Sequence, residues 1–85
     1  MDYTVLLRPS AERDRRNLPP EIRRRITDAL LSLETDPRPP GAAKLTGRSN
    51  RWRIRVGDYR LIYVIDDAPL QVLVVRIAHR REVYR

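Results

Sequence analysis

The sequence predicts an α+β domain: a small antiparallel-rich sheet with an N-terminal helical hairpin packed on one face, in the order β-α-α-β-β-β. Three observations carry that prediction. Residues 51–63 alternate apolar and cationic side chains with a period of two and then turn back. Residues 20–34 carry one apolar stripe at helical spacing, and residues 70–77 form an almost unbroken apolar run of strand length.

Taken in order, Tyr3-Thr4-Val5-Leu6-Leu7-Arg8 reads as a first strand, β-branched and aromatic. Pro9 stops it, and Ser10 is the expected N-cap of a short, mostly charged helix running to Asn17, with Glu12 in its first turn where an anion suits the helix dipole. Pro19-Pro20 breaks that helix, and Pro20 suits the opening of the next one. In the second helix Ile22, Ile26, Ala29, Leu30 and Leu33 share one face, while Arg23, Arg24, Arg25 and Asp28 lie largely on the other. Arg24 and Asp28 stand four apart and can pair, so the Arg23–Arg25 run reads as a solvated face. So short a link makes the two helices an antiparallel pair. Residues 35–43, with Pro37, Pro39, Pro40 and Gly41, form a loop.

Beyond the loop, Trp52, Ile54 and Val56 belong to one face of a strand, Arg53 and Arg55 to the other. Gly57-Asp58 supplies a two-residue turn, and residues 59–65 return as a second strand carrying Arg60. Asp66-Asp67-Ala68-Pro69 is a turn rather than a metal-binding pair of carboxylates, and Leu70–Ile77 is a strand covered on both faces for much of its length. The second helix with Trp52, Ile54, Val56, Leu61, Tyr63, Val72 and Val74 forms the expected core; Trp52, Tyr59 and Tyr63 are read as core rings, not base-stacking ones. The opposite sheet face, with Arg53, Arg55 and Arg60, is expected to be open and strongly positive.

Composition narrows the function. Eighty-five residues make a single domain, residues 1–85, with room for one core that buries roughly 60% of the unfolded surface. The absence of cysteine excludes a disulfide framework, a thiolate zinc site and a cysteine nucleophile, and one histidine cannot form a His cluster; no metal and no cofactor is expected. No leader peptide or membrane span is legible, so the expected location is the cytoplasm. The net charge is +7, and only one of the 18 basic residues, Lys44, is lysine. The charge is uneven: residues 1–43 hold eight arginines against seven acids, residues 44–85 ten basic residues against four acids. Arginine-rich codon usage explains arginine in place of lysine but not this concentration, which points to a polyanion, most simply nucleic acid.

The order Lys44-Leu-x-Gly47, then Trp52-Arg-Ile-Arg-Val-Gly-Asp-Tyr-Arg-Leu-Ile-Tyr63, then Ile77-Ala-His-Arg-Arg-Glu-Val-Tyr84 resembles the RelE/ParE toxin superfamily of bacterial type II toxin–antitoxin systems. The resemblance spans nearly the whole chain and is most specific at Gly57-Asp58-Tyr59-Arg60 and His79–Tyr84. It implies the RelE-like fold, a cognate antitoxin as partner in a hetero-oligomer, and one of two activities on that fold. RelE-like members cleave mRNA on the ribosome; for this chain the expected substrate is then mRNA in the ribosomal A site, with basic helix and loop surfaces expected to grip ribosomal RNA as well. ParE-like members inhibit DNA gyrase without nuclease activity. A third reading is a toxin-like domain that only binds an antitoxin.

The residues suit the first activity. RNA is cleaved without metal when its own 2′-OH attacks the adjacent phosphorus. The site must take a proton, stabilise the added negative charge and protonate the leaving 5′-oxygen. Arg53 and Arg55 share a face, and Arg60 across the hairpin can join them in a guanidinium clamp on phosphate. The resemblance implies similar roles at these positions, often lysine in the family and here arginine, which is a poorer proton donor or acceptor. It also implies transition-state stabilisation or leaving-group protonation by Arg80, and orientation or deprotonation of the 2′-OH by Tyr84, whose other reading is a C-terminal anchor ring packing on the sheet. A tyrosine is a weak base in water, though neighbouring guanidinium groups favour its phenolate. His79 is the alternative proton carrier, or else a structural histidine at the sheet edge. Lys44, Arg51 and Arg81 complete the expected RNA-binding surface.

Overall fold

The computed structural model describes residues 2–45 and 50–83. Strand β1 (Thr4–Leu7) leads into helices α1 (Pro9–Arg16) and α2 (Pro20–Thr35). Strands β2 (Ala43–Lys44), β3 (Arg51–Val56), β4 (Tyr59–Asp66) and β5 (Gln71–His79) follow, and α3 (Arg80–Val83) is a short terminal turn of helix. The five strands form one sheet in the order β1-β5-β4-β3-β2. All neighbours are antiparallel except β1 and β5, which run parallel from Thr4↔Gln71 to Leu7↔Val74. The α+β class and the helical pair on one sheet face are therefore as expected.

Strand β4 is paired on both sides, and its alternation divides the molecule. Leu61, Tyr63 and Ile65 point towards the helices, where they meet Ile54 of β3, Val72, Val74 and Ile77 of β5, and Ile26, Leu30 and Leu33 of α2. This is the predicted apolar stripe docked on the predicted sheet face. Trp52, Val56 and Tyr59 pack at its margin and are only partly buried. A bulge in β5 opposite Ile62 and Tyr63 shifts the register, and beyond it Leu61↔Ile77 and Arg60↔Ala78 face one another.

Tyr63 is fully buried, and its hydroxyl donates to the Pro37 carbonyl at 2.8 Å. A ring of the sheet thereby holds the loop after α2. The next residue, Arg38, lays its guanidinium 5.4 Å from the centre of the Trp52 ring and pairs with Asp67 in the β4–β5 turn at 3.0 Å. Tyr3 donates to the same carboxylate at 2.6 Å. Arg38 and then Tyr3, through these hydrogen bonds, hold the Asp67 carboxyl below the usual carboxylate range. Asp66 accepts the Ala68 N–H, so both carboxylates serve the turn, as the sequence indicated.

Helix α1 has a second task. Strand β1 stops at Leu7, which leaves the far half of β5 without a strand on that side. Ser10 donates to the Val75 carbonyl at 2.9 Å, and Asp14, one helical turn on, accepts the Ile77 N–H at 2.9 Å and Arg76 Nε at 2.8 Å. Two side chains thus replace a missing strand's backbone. This corrects the expected N-cap: Arg8 holds that position with Pro9 as the first helical residue, and the Ser10 hydroxyl is directed to β5. Two further differences are strand β2, whose pairing of Ala43 and Lys44 with Arg53 and Trp52 ends the expected loop early, and the extension of the last strand to His79.

Asp14→Ala should leave the Ile77 N–H without its acceptor and lower the unfolding free energy by about 1–3 kcal/mol, readable as a shift in the urea midpoint. Tyr63→Phe should cost about 1 kcal/mol through the lost bond to Pro37. Burial, and after it the Asp36 carboxylate, pushes the Tyr63 phenol up to about 12 in the folded protein. The unfolded chain therefore releases this proton first, and stability falls as pH rises from about 10 towards about 12. In Tyr63→Phe that part of the alkaline loss should disappear from the urea midpoints.

Candidate nucleic-acid site: an arginine basin

The hairpin β3–β4 places the first cations. Val56↔Tyr59 closes a two-residue turn in which Gly57 has φ +60°. Asp58 stays at negative φ, since Leu70 is the only non-glycine with positive φ among the described residues. Glycine first and an ordinary residue second is the pattern of a type II′ turn. A Cβ at Gly57 would also stand 3.1–3.4 Å from the Arg25 guanidinium of α2, which closes over the turn.

This turn sets Arg55 directly opposite Arg60. Two like charges in facing positions disfavour a hairpin, and both side chains reach the same concavity. On its other side Arg60 faces Ala78, whose methyl group keeps that position open. Immediately beyond, α3 brings Arg80 and Arg81 over the same region. The four arginines Arg55, Arg60, Arg80 and Arg81 line a concavity of about 380 Å³.

Arg60 corrects an expectation. The sequence placed it on an open face, whereas only 4% of it is exposed. It lies on the doubly paired central strand, between Arg55 and the β5–α3 junction, so the elements on three sides exclude solvent. Its guanidinium therefore forms an enclosed floor to the basin, in a setting of lower dielectric than water. Arg55, Arg80 and Arg81 are exposed and form its walls. Four fork-shaped cationic groups around one concavity suit an anion with several oxygens, such as phosphate.

The other predicted residues are distributed around it. Arg53 is half-buried and lies two residues along β3 from Arg55, on the same face but outside the basin lining. Exposed Arg51 continues that row at the far end of β3, opposite Val64. Lys44 is exposed on β2 and by register shares the face of Trp52, not that of Arg53. His79 faces Tyr59 in register, and their rings meet edge to face at 5.2 Å and 86°. Because Tyr59 packs on the core, the His79 ring is on the helix side of the sheet and does not line the basin. Tyr84 and Gly47 lie outside the described residues. Arg81, expected only as an RNA contact, joins the basin wall. Sequence reasoning missed Ala78, and a small residue next to HRR is weak signal without the register. Among the described residues, no three His, Cys, Asp or Glu side chains come together, and no helix is long and apolar enough to cross a membrane.

Comparison with known proteins gives the family of this fold. The family model for the ParE toxin of the type II toxin–antitoxin system parDE matches residues 5–84. Toxin RelG of Mycobacterium tuberculosis is 35% identical over 86 residues, covering all of this chain and 99% of the relative. The toxin–antitoxin complex RelBE2 of M. tuberculosis contains a chain that superposes with a TM-score of 0.84 at 32% identity, over 94% of this chain and 100% of that one. The archaeal RelE–RelB complex of Pyrococcus horikoshii gives 0.83 at 27% identity, over 94% and 97%. A ParE family model and RelE-named relatives meet on one fold, and the chain belongs to the RelE/ParE superfamily of type II toxin–antitoxin toxins, on its RelE-like side.

Proposed function

We propose that this toxin is an endoribonuclease that cuts mRNA in the ribosomal A site by attack of the RNA's own 2′-OH. The observation that carries the reading is the basin of four guanidinium groups with a buried floor. In the reaction the 2′-oxygen bonds to phosphorus, the bond from phosphorus to the 5′-oxygen breaks, and a 2′,3′-cyclic phosphate is left. The 2′-OH proton passes to a base and another proton reaches the 5′-oxygen. Negative charge accumulates on the non-bridging oxygens midway, and fixed guanidinium groups stabilise it without reorganising. Arg60 supplies the fixed charge, Arg55 and Arg81 hold the phosphate from the two rims, and Arg53 and Arg51 continue the track for the adjoining backbone, with Lys44 a further contact from β2. Arg80 stands at the leaving-group side, and the motif resemblance assigns Tyr84 to the 2′-OH. Guanidinium groups meet the charge demand that a metal ion meets elsewhere, so the chemistry is proposed as metal-independent.

An all-cationic basin binds phosphate without reading bases, which fits a toxin that takes substrate orientation from the translating ribosome in the cytoplasm. The solved relatives from M. tuberculosis and P. horikoshii are complexes, the former of toxin with antitoxin, and we extend that partnership to this chain. An acidic segment that folds on binding matches the basin's charge. The second reading is gyrase inhibition without nuclease activity, favoured by the ParE description of the matching family model.

Primer extension on a defined mRNA in a purified translation system should show cuts in codon register only when ribosomes are present. Arg80→Ala and Arg81→Ala, on an exposed helical turn, should each lower the cleavage rate by about 10²-fold, and Tyr84→Phe should weaken it while a cognate antitoxin still binds. Intact mRNA together with loss of DNA supercoiling by gyrase would select the second reading.

A further inference from the structure

We propose that His79 is a positioning residue that caps α3 through its ring nitrogen and so sets Arg80 and Arg81 against Arg55 and Arg60. The role in cleavage rests on the basin being the RNA-phosphate site; the capping itself does not.

The four residues of α3 are too few to hold a helical turn unaided, and the first N–H groups of any helix lack intrahelical acceptors. Here two of them are satisfied from outside. The Arg80 N–H donates to the Asp58 carbonyl of the β3–β4 turn at 2.8 Å. The Arg81 N–H donates to His79 Nδ1 at 3.3 Å. His79 is thus at the N-cap, and its Nδ1 stands the same number of bonds from the backbone as the Oδ1 of asparagine, a favoured capping atom. Accepting this bond requires a lone pair on Nδ1, so the ring proton belongs on Nε2. The ring is held in place by Tyr59, edge to face, and Tyr59 precedes Arg60 on β4 as Ala78 precedes His79 on β5. One cross-strand pair, Tyr59 and His79, therefore fixes the start of α3 from the helix side of the sheet. The next pair along, Arg60 and Ala78, opens to the basin on the other side. The imidazole governs where two of the four cations stand without touching the reacting atoms.

The test compares His79→Ala with His79→Asn, which keeps a capping acceptor but neither takes up nor releases a proton near neutral pH. Three readouts are made on the full chain: amide hydrogen exchange at Arg81, binding of inorganic pyrophosphate, and ribosome-dependent cleavage by primer extension. In wild type the imidazole nitrogen shifts should report the Nε2–H tautomer. His79→Ala should exchange about fivefold faster at Arg81, bind pyrophosphate about fivefold more weakly and cleave more slowly by a similar factor. His79→Asn should stay within about twofold of wild type in all three. Asparagine as deficient as alanine in cleavage, with exchange at Arg81 restored, would overturn the proposal in favour of proton transfer by the imidazole. Both variants matching wild type in exchange and pyrophosphate binding would overturn it outright. Unchanged exchange protection in β4 and β5 identifies a folded variant. Should wild type cut no mRNA, the nuclease reading fails while exchange and pyrophosphate binding still decide the cap.

Discussion

Every side chain on β4 has only two directions available, because the strand is hydrogen-bonded on both sides and cannot rotate about its axis. That constraint organises the molecule. Leu61, Tyr63 and Ile65 go one way and nucleate the packing of α2. Arg60 goes the other way with Ile62 and Val64, and its guanidinium becomes the floor of a cationic basin. Core and candidate site are the two faces of one strand, so the precision of the basin derives from the close packing behind it. A site of this kind also violates a local rule of hairpin stability, since Arg55 faces Arg60 in register. Conflicts between local preference and global fold are expected where a surface is shaped for a ligand.

Three devices hold the ends of this sheet. Ser10 and Asp14 of α1 supply the missing partner groups along β5, where β1 is too short to reach. The loop after α2 is tied down by the Tyr63 hydroxyl, and Arg38 bridges that loop to the β4–β5 turn while lying over Trp52. At the opposite end, the β3–β4 turn receives Arg25 from α2 over Gly57 and offers the Asp58 carbonyl to α3. The helices therefore do more than cover apolar surface; they reach around the sheet to satisfy its backbone and brace its turns.

Much of this was legible in the sequence because period and composition report directly on one strand or one helix at a time. The stripe of α2, the Trp52–Tyr63 hairpin with its Gly57-Asp58 turn, and the concentration of arginine in residues 44–85 are all local patterns. What was not legible depends on pairing between distant segments. Burial of Arg60 follows from its lying between β3 and β5, which no period reveals. The diversion of Ser10 from the expected cap to Val75 depends on β1 ending before β5 does. The division of His79 from Arg80, one to each side of the sheet, depends on the bulge opposite Ile62 and Tyr63 and on the helical turn that follows.

The exclusive use of arginine in the basin bears on how the protein can be handled and modified. Acetyl transfer and amine-directed reagents need a nucleophilic amine, and the one lysine side chain, Lys44, lies on the edge strand β2 and shares a face with Trp52. Coupling a surface or fluorophore through that side chain would hold the molecule by its sheet edge and leave all four basin guanidinium groups chemically untouched. Dicarbonyl reagents, which condense with guanidinium groups, would act in the opposite sense. The exposed rim arginines Arg55, Arg80 and Arg81 would react ahead of the enclosed Arg60.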